Sequence, residues 1–118
     1  MGAYQRYSVY IGSLKPEEIE QTLKTIEQRL NTDIAIEEIV EKYDKGYAFH
    51  NRKDICDSLP SIYFEPGKDS LYDLTVVHES NYPYGLYEML HSLKKDLEDK
   101  YEDVQIHYVN LEESGEEI

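Results

Sequence analysis

Apolar and polar side chains alternate from Tyr4 to Ile11, with Tyr7, Val9 and Ile11 on one face and Arg6, Ser8 and Tyr10 on the other. A period of two is that of a half-buried strand. After Gly12-Ser13 the chain is expected to turn. Pro16 presets φ for a first helical turn, and Glu17 and Glu18 suit the positive end of a helix dipole. Ile19, Leu23, Ile26 and Leu30 then recur at spacings of four, three and four, which predicts a helix to about Asn31, packed on a sheet.

Beyond it, Ile36, Ile39, Val40 and Tyr43 fit a short helix over 34–43, although the β-branched content also suits a strand. The helix is the favoured reading. Ser61 to Glu65 and Leu71 to His78 read as the two strands of a hairpin, joined by the turn chemistry of Pro66-Gly67-Lys68-Asp69. Leu86, Met89, Leu90, Leu93, Leu97 and Tyr101 trace the stripe of a second long helix that ends near Asp103, and Val104 to Leu111 alternates once more as a last strand. This order predicts an α+β fold, a ferredoxin-like split βαβ plait with a four-stranded antiparallel sheet and two main helices on one face.

A chain of 118 residues with 40% apolar content has the size of one domain. Residues 1–111 are expected to form it, leaving 112–118 as a flexible acidic tail with no means of packing. The lone Cys56 excludes an internal disulfide and fits a reducing cytosol. No apolar run approaches a membrane span, so a cytoplasmic protein with no membrane partner is expected.

Charge changes the picture most. The net charge is −13, and residues 96–118 alone hold nine acids against Lys100, so the negative field is polarised toward the C-terminal end. Such a field repels nucleic acid and anionic membranes and steers association with basic surfaces, which disfavours direct nucleic-acid binding. Aromatic content is equally skewed, with twelve Tyr, two Phe and no Trp. Tyr combines contact area with a polar tip, as binding surfaces and core edges both require.

Catalytic and metal chemistry find little support in the spacing. His50, His78, His91 and His107 form no ligand-spaced unit, Cys56 and His50 lie in no nucleophile signature, and the glycines are isolated, so no enzyme, metal or cofactor is expected. Two segments carry a resemblance. Val9-Tyr10-Ile11-Gly12-Ser13-Leu14 and Lys45-Gly46-Tyr47-Ala48-Phe49 resemble the two short motifs of the RNA recognition motif family, over eleven residues in all. That resemblance implies base stacking on Tyr10, Tyr47 and Phe49, within a basic aromatic patch at Lys45–Phe49.

On the second helix Asp96, Asp99 and Asp103 fall at spacings of three and four, with Glu98 and Glu102 in an adjacent row. Like charges so placed cost about 0.2–0.5 kcal/mol per pair. A surface kept at that cost suits a mimic of the phosphate array of nucleic acid. The sequence therefore predicts a non-enzymatic inhibitor, of the immunity, anti-restriction or anti-CRISPR kind, that occludes a basic protein. Asp96, Asp99, Glu102 and Asp103 are its candidate carboxylates, with Tyr84, Tyr101 and Tyr108 as aromatic anchors. The alternatives are an RNA-binding module using Lys45–Phe49, or a small ligand-binding domain or enzyme on the open sheet face over Arg6, Tyr10 and Thr75.

Overall fold

The alternation around Val9 becomes β1 (Ala3–Leu14), in a computed structural model that describes residues 3–32, 34, 36, 49–51, 60–67, 69, 71–82, 85–110 and 116–117. The turn expected after Gly12-Ser13 comes at Lys15, once the strand has ended at Leu14. Between the pairs Ile11↔Leu74 and Leu14↔Tyr72 one strand advances by a residue more than the other, a β-bulge with Ser13 at φ 60°. The bulge resets the alternation, so that Ile11 and Leu14 both enter the core although they are three positions apart.

After β1 comes α1 (Pro16–Leu30), close to its predicted extent. Its first turn is closed by reciprocal bonds: Lys15 N–H donates to Glu18 Oε1 at 3.0 Å, and Glu18 N–H donates to the Lys15 carbonyl at 2.9 Å. Asn31, at φ 51°, ends it in the left-handed conformation common at helix C-termini. The short helix expected over 34–43 lies outside the described residues except at Ile34 and Ile36, which pack on the core. Ile34 N–H donates to Glu27 Oε2 at 2.8 Å.

The remaining described strands are β2 (Phe49–Asn51), β3 (Ser61–Pro66), β4 (Tyr72–Tyr82), β5 (Val104–Asn110) and β6 (Glu116–Glu117). They pair with β1 in one antiparallel sheet of order β2-β3-β4-β1-β5-β6. The four predicted strands are its long members, and the expected hairpin is β3–β4. Two short edge strands, β2 and β6, extend the predicted four-stranded sheet. Part of the supposedly unpacked tail thus meets the sheet, through Glu116 opposite Tyr108 and Glu117 opposite His107. Edge pairing uses backbone hydrogen bonds, so no apolar alternation announces it.

α2 (Leu86–Glu98) follows Gly85, whose φ of 105° favours glycine. It stops short of the predicted Asp103. Lys100 and Tyr101 both donate their N–H to the Leu97 carbonyl, at 3.0 and 2.8 Å, and the chain then turns into β5. Both helices lie on one face of the sheet. Ile19, Leu23, Ile26 and Leu30 of α1 and Leu86, Leu90, Leu93 and Leu97 of α2 are buried with Val9, Ile11, Ile62, Phe64, Leu74, Val76 and Ile106. The other face is uncovered by any described element. Leu93→Ala should therefore cost about 2–5 kcal/mol in chemical denaturation, with an unchanged denaturant slope. Gln105→Ala, on the exposed face, should stay within about 0.5 kcal/mol of wild type.

Candidate functional site

The acidic residues singled out from the sequence do not form one array. Asp96 points to α1, where its carboxylate meets Arg29 Nη2 at 2.5 Å, and both groups remain partly exposed. A pair so exposed contributes about 0–1 kcal/mol, but it neutralises one member of the row. Asp99 lies beside it in a shallow groove between the helices, lined also by Gln21, Thr25, Gln28 and Lys100, so both signs of charge meet there. Lys94 and Lys95 interrupt the same helix. Glu102 is exposed.

Two of the three aromatic anchors are parts of the fold. Tyr101 packs against the core and its hydroxyl meets Thr22 Oγ1 at 2.8 Å. Because Thr22 spends its proton on the Glu18 carbonyl, also at 2.8 Å, Tyr101 is the donor. Tyr108 donates to Gln5 Oε1 at 2.7 Å and rests edge-on against Tyr87. Each ring is half-buried. Tyr84 lies outside the described residues, as do Lys45 to Ala48. Phe49 and His50 are placed only as backbone of β2.

Asp103 has the most consequential position. It sits in the turn between α2 and β5, where its carbonyl accepts the Gly12 N–H at 2.9 Å. A Cβ on Gly12 would stand 2.6 Å from Asp103 Oδ2 and 2.9 Å from the Tyr10 hydroxyl, so a bare backbone is what admits both groups. From the other side, Asp73 Oδ1 accepts the Ser13 N–H at 3.1 Å. The bulge in β1 thus gathers Tyr10, Asp73 and Asp103 at one end of the open sheet face. The Tyr10 phenol is raised above its ordinary value of 10.0, first by burial, then by the negative charges of Asp73 and Asp103.

Along β1, β3 and β4 the register sets a second feature of that face. Tyr63 is opposite Thr75, and Thr75 is opposite Tyr10, so a small side chain stands between two large ones in one row across the strands. The neighbouring row toward the acidic end pairs Glu65 with Asp73. These five residues and Val77 line an open cleft of about 500 Å³. Sequence reasoning had placed Tyr10 and Thr75 on this face but missed Tyr63, Glu65 and Asp73. Alternation assigned each a face; only the register could make them neighbours. Arg6, on the same face, is exposed and lies 3.7 Å from Glu79.

The histidines separate. His78 is buried edge-on against Tyr7, His91 lies on α2 against Tyr87, and His107 is exposed on the open face. Among the described residues no three His, Cys, Asp or Glu side chains gather in a way that could hold a metal ion, and no helix is long and apolar enough to cross a membrane. Comparison with known proteins finds no matching family model, no significantly similar curated protein and no significantly similar solved structure. The functional reading therefore rests on the residues themselves.

Two measurements check this geometry. Asp103→Asn and Asp73→Asn should each lower the Tyr10 phenol pKa toward its ordinary value in an NMR pH titration. An unchanged value in both would contradict the arrangement. In the wild type the raised pKa means that the unfolded chain loses this proton first, so the stability it contributes is complete below pH 10.0 and falls as pH rises through the folded-state value. Tyr101→Phe should cost about 1 kcal/mol in denaturation, the value of a hydrogen bond to Thr22.

Proposed function

We propose that the protein is a non-enzymatic binding protein, built on a ferredoxin-like split βαβ plait, that occludes a basic surface of another protein. Immunity, anti-restriction and anti-CRISPR proteins work in this way, and a nucleic-acid-binding protein of the cytoplasm is the kind of target that fits. For the plait, the support is that α2 links β4 to β5, which run in the same direction on either side of antiparallel β1, and that β1 and β3, separated in the chain by α1 and the short β2, flank antiparallel β4 in the same way.

The observation that carries the functional reading is the Tyr10 hydroxyl held near the carboxylates of both Asp73 and Asp103. Carboxylates beside an aromatic ring on an uncovered sheet face form a negative surface with contact area, suited to a cationic partner and unsuited to a polyanion. Asp99 and Glu102 are exposed and close to Asp103 in the chain, and the net charge of −13 adds long-range attraction. The interaction surface is accordingly centred on Tyr10, Glu65, Asp73, Asp99, Glu102 and Asp103. Asp96, Tyr101 and Tyr108 are each engaged within the fold and are not part of it. The same negative charges oppose the RNA-binding alternative, because phosphate contacts dominate nucleic-acid affinity.

Occlusion of this type gives fast, salt-sensitive association. Wild type used to capture proteins from the native host should retain a basic target that elutes with rising salt. Combined Asp73→Asn, Asp99→Asn, Glu102→Gln and Asp103→Asn substitutions should slow association with that target about tenfold and flatten its salt dependence. Unchanged capture and elution by the neutralised protein would overturn the reading.

A further inference from the structure

We propose that Gly12 is a positioning residue of the binding surface: its missing side chain lets the Asp103 carboxylate and the Tyr10 hydroxyl share one space at the end of β1, where together they accept a cationic nitrogen of the partner. This role deepens the binding function proposed above and rests on it for the partner.

Backbone conformation does not demand glycine here, because the positive φ values of the described residues fall at Ser13, Asn31, Asp69 and Gly85. Space does. A Cβ at residue 12 would lie 2.6 Å from Asp103 Oδ2, 3.3 Å from Asp103 Cγ and 2.9 Å from the Tyr10 hydroxyl, all inside the roughly 3.5–4.0 Å of ordinary van der Waals contact. These three atoms belong to side chains and none to the backbone. An alanine is therefore admitted by displacing a carboxylate and a phenol, while the pairing of β1 with β4 and β5 is left as it is.

Convergence gives the arrangement its use. Two oxygens that both lie within 2.9 Å of one point are near enough for a single cationic N–H group to bond to each. Unlike Asp96 and Tyr108, neither is taken up by an ion pair or a hydrogen bond among the described residues. Access is open as well, since Asp103 is exposed and Tyr10 half-buried. Asp73, anchored by the Ser13 N–H at 3.1 Å, adds its negative charge beside the phenol. Charge of this sign admits a cation and repels an anion. The partner group is accordingly a nitrogen that carries both a positive charge and hydrogen-bond donors.

One substitution changes the position of these groups without changing their charge. Gly12→Ala and wild type, each as the full chain, are titrated with acetyl-trilysine-amide while the Tyr10 ring and the amides of Asp103 and Gln105 are followed by NMR. Wild type should give saturable shifts at these residues, and Gly12→Ala should bind about tenfold more weakly, the worth of a hydrogen bond to a charged group. The Tyr10 phenol pKa should fall toward its ordinary value as the carboxylate is pushed away, a change that a merely structural glycine would not produce. In the Tyr10→Phe, Asp103→Ala background both obstructing groups are gone, so Gly12→Ala should weaken binding no further. Undiminished binding by Gly12→Ala, an equal loss in that background, or no saturable shift in wild type would overturn the assignment. So would failure of Gly12→Ala to fold, because packing and not recognition would then explain the glycine. The two proposals fail separately. A basic target captured and released by salt, with equal affinity for Gly12→Ala, would sink the role of Gly12 and spare the binding protein. Trilysine binding that depends on Gly12, in a protein that captures no basic target, would do the reverse.

Discussion

β1 is hydrogen-bonded along both edges, to β4 through most of its length and to β5 from Gln5 to Ile11, and everything else in the molecule is placed relative to it. Its inward side chains Tyr7, Val9, Ile11 and Leu14 are buried, so both helices pack over a surface whose centre it supplies. A strand paired on both sides must satisfy its backbone in one register. A slip of one residue would carry Tyr7, Val9 and Ile11 to the open face and Arg6, Ser8 and Tyr10 to the core. The register also decides which outward residues are neighbours, and hence where a partner can be recognised.

The bulge at Gly12-Ser13 is the one departure from that regularity, and it bears directly on the candidate site. It lets Leu14 rejoin the core after Ile11. It also exposes two backbone N–H groups, of Gly12 and Ser13, which find acceptors in the Asp103 carbonyl and the Asp73 carboxylate. Two acids distant in sequence are thereby brought near one phenol. The same local irregularity that continues the strand concentrates negative charge at its end.

Charge patterning along α2 illustrates how a helical spacing can mislead. Asp96, Asp99 and Asp103 are spaced to share one helix face, but the helix ends at Glu98 and the chain changes direction before Asp103. Asp96 is then claimed by Arg29 of α1, and Asp103 by the end of the sheet. Carboxylates near a helix C-terminus oppose its dipole, and the ion pair with Arg29 offsets part of that repulsion. Tyr101 continues the apolar stripe beyond the helix, which explains why its periodicity suggested a longer element while its hydroxyl serves the contact with Thr22.

Local periodicity by itself determined the two amphipathic helices, the four long strands, the face of each strand that is buried, and the negative character of the molecule, because each depends on side chains within a few residues of one another. Tertiary structure alone decided the short edges β2 and β6, which form through backbone groups common to all residues. It also decided the cleft, since Tyr10, Tyr63 and Thr75 are separated by up to 65 positions in the chain and meet only through strand register. Which carboxylates are neutralised and which remain facing solvent was settled in the same way. Formal charge is a property of composition, but its effective location depends on the partners that folding brings to it.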